Sequence, residues 1–268
     1  AFEWLPVGDY MIGGQPPKLW WSARQAMGLP LWNRPGQRLW EKWVQETLVR
    51  RGSHFVVYSE LALKAFNDLG VSNERISRVI IPTNLDRFRP TEVKDRRDIL
   101  IIGSNPVLKG IDLALSAWRE MHRQYPKLYL NIVGKGWKIE RLVASADLPR
   151  VKLSPLIDHP EHYYQQARLL WAPSWFETWC NVVPEALASG LPVVTTNTTP
   201  SSEIICSPMM GKVIKRSSST VEDINTLIKA TQQLLSMPFT MEIMKLRSRT
   251  VREFQVSHLD LLEWIQTI

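Results

Sequence analysis

LLWAPSWFETWCNVVPEALASGLPVVTT, residues 169–196, holds a complete strand–loop–helix–strand unit. Leu169 to Pro173 is an apolar run of the kind that forms a buried strand, and Pro192 to Thr196 is a second. Between them, Asn181 to Ala188 reads as a helix that meets Gly190, a residue suited to stopping one just before a strand. Strands alternating with helices make a parallel sheet covered by helices.

The pattern extends in both directions. Asp98 to Ser104 (DILIIGS), Leu128 to Gly134 (LYLNIVG), Val151 to Leu153 and Lys212 to Lys215 complete a set of strands. Gly110 to Tyr125 places Ile111, Leu115, Trp118 and Met121 at helical spacing. The expected fold is therefore α/β, with one doubly wound parallel-sheet domain over residues 87–250. Upstream, His54 to Ser59 and Val79 to Pro82 read as the last strands of another α/β domain, with Leu61 to Leu69 as the helix between them. A complete α/β domain takes about 100 to 150 residues. Residues 1–86 are fewer, and with Ala1 in place of an initiating methionine they are expected to be a truncated partner domain. Residues 251–268 are expected to form a helix packing back towards it.

Composition narrows the class. Of 268 residues, 44% are apolar and 22% charged, ordinary values for a globular protein. No apolar run reaches the roughly 18–20 residues that span a bilayer, and Ala1 to Asp9 do not resemble a signal peptide, so a cytosolic location is the default expectation. The two cysteines, Cys180 and Cys206, suit neither a disulfide framework nor a zinc knuckle and read as free thiols. A net charge of +7, with basic clusters at Arg50-Arg51, Arg96-Arg97 and Lys245 to Arg252, favours anionic ligands, with peripheral contact to an anionic membrane face as a further expectation. Taken singly, each cluster reads more readily as a solvated helix face or turn. Nucleic acid is disfavoured because no recognition module or zinc-finger spacing is present. Six of the twelve tryptophans (Trp4, Trp20, Trp21, Trp32, Trp40 and Trp43) lie in the first 43 residues, which read as a loop-rich cap packed on the sheet, or else as an acceptor groove or a membrane-facing surface.

Chemistry concentrates on two loops. Glu177 falls at the carboxyl end of a strand, where open α/β sheets bind ligands, and Glu185 falls on the following helix. The backbone amides of Thr178, Trp179, Cys180, Asn181 and Val182 lie where that helix begins, a place that favours phosphate or sugar oxygens. Spacing alone also fits a helix cap at Glu177 and an exposed helix charge at Glu185. The second loop follows the first strand of the domain, LIIGSNPVLKGIDLAL (100–115), with Gly103, Ser104, Lys109 and Gly110 between strand and helix. A lysine there is either a solvated helix start or a phosphate ligand.

Both segments resemble family 4 glycosyltransferases, which have the two-domain GT-B fold. The likeness rests on Glu177 and Glu185 with seven residues between them, followed by Ala186, Ala188, Ser189, Gly190, Pro192, Val193 and Val194. It rests further on the Lys109-Gly110 helix start and on the smaller matches IPTNLDRFRP (81–90) and IVGKGW (132–137). It implies that Glu177 contacts the donor sugar, Glu185 the ribose, Lys109 the pyrophosphate, and the Thr178–Val182 amides sugar and phosphate. Leu153 to Leu156 would line the base pocket. Asp86, Phe88 and Pro90 fit a structural junction. The chain departs from the family at Thr178 and Cys180, where glycine is usual, and at Ser104, where many relatives carry arginine.

The resemblance further implies a retaining, metal-independent hexosyltransferase. Its donor would be a UDP-, GDP- or ADP-linked sugar and its acceptor a glycan or lipid-linked hydroxyl, with no cofactor beyond the nucleotide-diphosphate sugar as co-substrate. No Asp-x-Asp metal motif is present, and His159 and His162 read as surface residues. A rival is a donor-binding remnant or fragment without turnover. An NAD-dependent oxidoreductase is disfavoured, because Gly134 to Gly136 is too short for a dinucleotide fingerprint.

Overall fold

The computed structural model describes residues 54–93, 95–217, 220–258 and 261–267, together with 5–7, 10–12, 23–25, 27, 39, 42, 43, 46, 47 and 49. It divides into two units. One comprises Ala1–Pro82, Phe176–Trp179 and Gln255–Ile268, the other Thr83–Trp175 and Cys180–Phe254.

The first unit carries strands β1 (Leu5–Val7), β2 (Tyr10–Ile12), β3 (His54–Val57) and β4 (Ile76–Arg78), in the order β1-β2-β3-β4. β1 and β2 are antiparallel, whereas β2, β3 and β4 run parallel. Helix α1 (Glu60–Asn67) starts where the Ser59 hydroxyl accepts the Ala62 amide, a helix-capping bond. It buries Ala62 and Phe66 against Phe55, Val57 and Ile76. Two expectations change here. Strands β1 and β2 occupy part of the stretch expected to be loop-rich, while Trp4, Trp20, Trp21, Trp32 and Trp40 lie outside the described residues. The last strand is also Ile76–Arg78 rather than Val79–Pro82. Val79 and Ile80 are fully buried, so their apolar run records burial, while Ile-Ser-Arg hides a pairing segment behind polar side chains.

The second unit holds the larger sheet: β5 (Asp98–Ile102), β6 (Tyr129–Val133), β7 (Val151–Ser154), β8 (Ala167–Ala172), β9 (Val193–Thr196) and β10 (Gly211–Ile214). All are parallel, in the order β10-β9-β8-β5-β6-β7. The chain lays down β5, β6 and β7 in one direction, then returns to the middle and lays down β8, β9 and β10 in the other. The switch point lies between β5 and β8. The covering helices are α2 (Ile111–Met121), α3 (Trp137–Ala146), α4 (Glu161–Gln166), α5 (Val182–Ala188), α6 (Thr220–Leu235) and α7 (Met241–Val256). α2 is shorter than the expected 110–125. The core packs Ile99, Ile101, Leu113, Trp118, Leu130, Leu169 and Trp171 between sheet and helices. Both buried indoles keep a partner: Trp118 donates to the Pro149 carbonyl (3.0 Å) and Trp171 to the Thr231 hydroxyl (2.8 Å).

Crossover helices run against the strands, so their carbonyl ends gather where the strands begin. Three guanidiniums meet them. Arg96 donates to the carbonyls of Tyr164 and Ala167 at the end of α4, Arg247 to Gly190 beyond α5, and Arg168 to Met237 beyond α6. All three lie near the Phe239 ring, between 4.1 and 5.8 Å from its centroid. Cations suit helix carboxyl ends, where the backbone dipole is negative. Burial and the neighbouring Arg168 charge lower the pKa of Arg96 and of Arg247 to about 10.

The terminal helix α8 (Leu261–Thr267) belongs to the first unit, where Trp264 packs with Val56 and Val79. No described helix is long and apolar enough to cross a membrane.

Candidate active site

Both predicted loops leave the carboxyl ends of β5 and β8, the two strands that flank the switch point. Open α/β sheets form a ligand crevice at that place, because neighbouring loops there turn to opposite faces.

On the β5 side, glycines make the loop close-fitting. A Cβ on Gly103 would come within 2.6 Å of the Lys109 Cγ, so the lysine stem lies across the bare backbone. Gly110 has φ +68°, and a Cβ there would lie 2.3 Å from the Pro173 carbonyl oxygen at the end of β8. A Cβ on Gly134, after β6, would meet the Gly103 carbonyl oxygen at 2.4 Å. The turn itself is closed by Asn105, whose side chain accepts the Leu108 amide, while its carbonyl accepts that of Lys109. The Trp175 amide then donates to the Leu108 carbonyl at 2.9 Å, which ties the two loops together. Lys109 is half-buried and Ser104 exposed.

On the β8 side, Glu185 lies in the first turn of α5 and is half-buried. The Tyr164 hydroxyl donates to its Oε2 at 2.5 Å. Burial raises the Glu185 carboxyl to about 6, against the opposing pull of that hydrogen bond and of the Arg87 charge. The Tyr164 phenol is pushed well above its ordinary value by burial first and by the Glu185 charge second. Asn181 sits at the start of α5 without a side-chain capping bond, next to half-buried Val182.

Cys180 explains one departure seen in the sequence. Its φ is +79°, left-handed backbone that glycine adopts without strain, and its carbonyl accepts the Ser201 hydroxyl at 3.1 Å. Trp179 and Glu177 are buried, Thr178 is half-buried, and the Phe176–Trp179 segment groups with the first unit. The structure thus brings Gly103, Lys109 and the Glu185 helix to one switch point.

Sequence reading missed two participants. Tyr164 lies between the expected strands Val151–Leu153 and Leu169–Pro173, where only His159 and His162 are read, as surface residues. Arg216, just past β10, donates to the Pro173 carbonyl at 3.1 Å, stacks on Trp175 at 3.7 Å from the ring centroid, and pairs with Asp223 at 3.1 Å. It reaches α2 electrostatically too: burial raises the Asp112 carboxyl, and the Arg216 charge is among the influences opposing this. An arginine immediately after a strand's carboxyl end was the available signal. His54, near a strand start, hydrogen-bonds to the Ser77 hydroxyl at 2.8 Å.

A doubly wound sheet with a lysine-glycine helix start on one side of the switch point and a glutamate helix on the other places this chain among the open-sheet α/β proteins, whose ligands bind at the carboxyl ends of the strands. Residues 96–237 match the family described as glycosyl transferases group 1, and the chain belongs to that family. An uncharacterized glycosyltransferase of Haemophilus influenzae is 27% identical over 167 residues, 59% of this chain and 45% of the relative. The chain therefore spans under half the length of that curated relative. Among solved structures, WaaG, a glycosyltransferase involved in lipopolysaccharide biosynthesis, is similar with a TM-score of 0.71 and 18% identity, over 96% of this chain and 73% of that one. Sucrose-phosphate synthase from Thermosynechococcus elongatus matches with 0.69 and 20%, over 94% and 63%. HepE of Anabaena, in complex with UDP, matches with 0.63 and 15%, over 88% and 70%. The α/β fold is of the GT-B type.

Proposed function

We propose that the protein is a retaining glycosyltransferase that moves a hexosyl group from a nucleotide-diphosphate sugar to an acceptor hydroxyl without a metal ion. The observation that carries this is the meeting of the Lys109-Gly110 loop and the Glu185 helix at the β5/β8 switch point of a group 1 family chain. In the proposed complex the Lys109 ammonium neutralises the diphosphate and stabilises the charge that grows on it as the bond to the anomeric carbon breaks. Glu185 accepts hydrogen bonds from the ribose hydroxyls, and Glu177 orients the sugar. Amides from Thr178 to Val182 hold sugar and phosphate oxygens. The acceptor oxygen bonds to the anomeric carbon on the face the phosphate leaves, and the acceptor proton passes to a phosphate oxygen, which preserves the configuration. The resemblance to family 4 enzymes supports the stereochemistry and the role of Glu177. UDP-, GDP- and ADP-linked sugars are the candidate donors, and a glycan or a lipid-linked sugar is the acceptor class. A cytosolic location with peripheral contact to the inner membrane face is part of this reading, but Arg96 and Arg247 are buried against helix carboxyl ends, so only the other basic residues of those clusters are left to serve such a contact.

Calorimetric titration with UDP, GDP and ADP, repeated on Lys109→Ala and Glu185→Ala, tests the donor site. Saturable binding of one nucleotide, weakened by both substitutions, is expected. A folded chain that binds none of them, or that binds one regardless of both substitutions, would remove the assignment. A donor-hydrolysis or transfer assay on the same samples separates turnover from binding alone.

A further inference from the structure

We infer that Tyr164 is a positioning residue for nucleotide recognition: its hydroxyl holds one oxygen of the Glu185 carboxylate and thereby presents the other to the ribose. This rests on the ribose role proposed above for Glu185. The contact is a single 2.5 Å hydrogen bond from a phenol that is fully buried. Tyr164 has little freedom to leave. Its ring meets Phe88 edge-on at 5.4 Å between centroids, and its carbonyl is held by Arg96 Nη1 at 3.0 Å. A carboxylate on a short helix otherwise rotates about its terminal torsion, and only an oxygen fixed in direction can accept from a vicinal diol with good geometry.

Because the phenol donates, it stabilises the ionised carboxylate. The charged and titratable groups that act on this pair are Arg87, from the loop ahead of β5, on Glu185, and Cys180, ahead of α5, on Tyr164. Burial opposes ionisation and brings Glu185 to about 6. A ribose that requires the ionised carboxylate is therefore bound less tightly as pH falls through that value. Removing the phenol hydroxyl moves the loss of binding to higher pH. A hydrogen bond to a charged group is worth a shift of about one pH unit or slightly more.

The experiment measures the Kd of UDP, GDP and ADP on the full chain from pH 5 to 8, for the native protein, Tyr164→Phe, Glu185→Gln and the double variant, with melting temperatures recorded for each. Tyr164→Phe is expected to fold, to raise the midpoint of the acid limb by about one pH unit, and so to weaken the best nucleotide about threefold near pH 6.5, the loss growing towards about tenfold near pH 5. In the Glu185→Gln background the same change should have little effect and no acid limb should remain. If Tyr164→Phe leaves the midpoint in place, or weakens binding equally in both backgrounds, Tyr164 does not act through Glu185 and the inference falls. If instead Glu185→Gln binds nucleotide as the native chain does, the ribose role itself is wrong and the inference falls with it. A variant that melts far below the native protein is replaced by Tyr164→His, which restores a donor. Failure of that variant to recover the native midpoint also counts against the inference.

Discussion

At the scale of single residues, the loops around the switch point set shape as much as chemistry. Gly110 joins a positive φ to a 2.3 Å clash for any Cβ against Pro173, a contact with backbone that cannot swing aside. Gly110→Ala should cost about 2–4 kcal/mol in a denaturant titration. Gly103→Ala meets a flexible lysine stem instead, so it should cost less stability than Gly110→Ala, and if Lys109 holds the diphosphate as proposed, its larger effect should fall on nucleotide affinity. Cys180 holds left-handed backbone without being glycine; Cys180→Gly releases about 1–2 kcal/mol of that strain but gives back about 0.5–1 kcal/mol in unfolded-chain freedom and about 1 kcal/mol of side-chain burial, so a denaturant titration should show a change of under about 1 kcal/mol. Glu185 gives a signed pH effect. Its folded value of about 6 lies above the ordinary 4.5, so the native state holds this proton more tightly than the unfolded chain does, and the associated stability is present below about 4.5 and lost as pH rises through 6. Glu185→Gln, which mimics the protonated form, should melt higher than the native protein at pH 7.5, with the difference closing towards pH 4.5. An unchanged difference across that range would mean the carboxyl titrates normally.

At the scale of elements, charge is placed where the backbone asks for it. α5 ends with Gly190 at φ +85°, its amide bonded to the Leu187 carbonyl and that of Leu191 to Ala186, a Schellman closure whose free carbonyl Arg247 then takes. Arg216 does related work at the other end of the sheet, where its partner Asp223 is buried and also accepts the Ser217 amide at 2.7 Å. Arg216→Ala leaves that carboxylate without its cation and should destabilise by about 3–5 kcal/mol, and adding Asp223→Asn should recover much of the loss. Equal instability in single and double variants would mean that the stacking on Trp175 matters more than the charge.

At the scale of the whole molecule, the parallel sheet was legible because buried strands such as Ile99–Ile101 and Val193–Val194 are unbroken apolar runs. The two carboxyl-end loops were legible because glycine and lysine sit where strand gives way to helix. What stayed hidden was tertiary. Nothing near Tyr164 in the chain announces Glu185, and Arg216 reveals its place only once β10 returns beside β9. β4 was concealed for a local reason, since its Ile-Ser-Arg pattern is half polar while the truly apolar Val79 and Ile80 lie just beyond it. The strand order carries one further consequence, for kinetics. β5, β6 and β7 are sequential neighbours and can assemble early, but the crevice exists only once β8 has come back to pair Asp98 with Ala167 across two intervening strands' worth of chain. Long-range closure of this kind is slow and comes late. A nucleotide that needs the finished crevice should accordingly leave the refolding rate unchanged in stopped-flow experiments and act entirely by slowing unfolding.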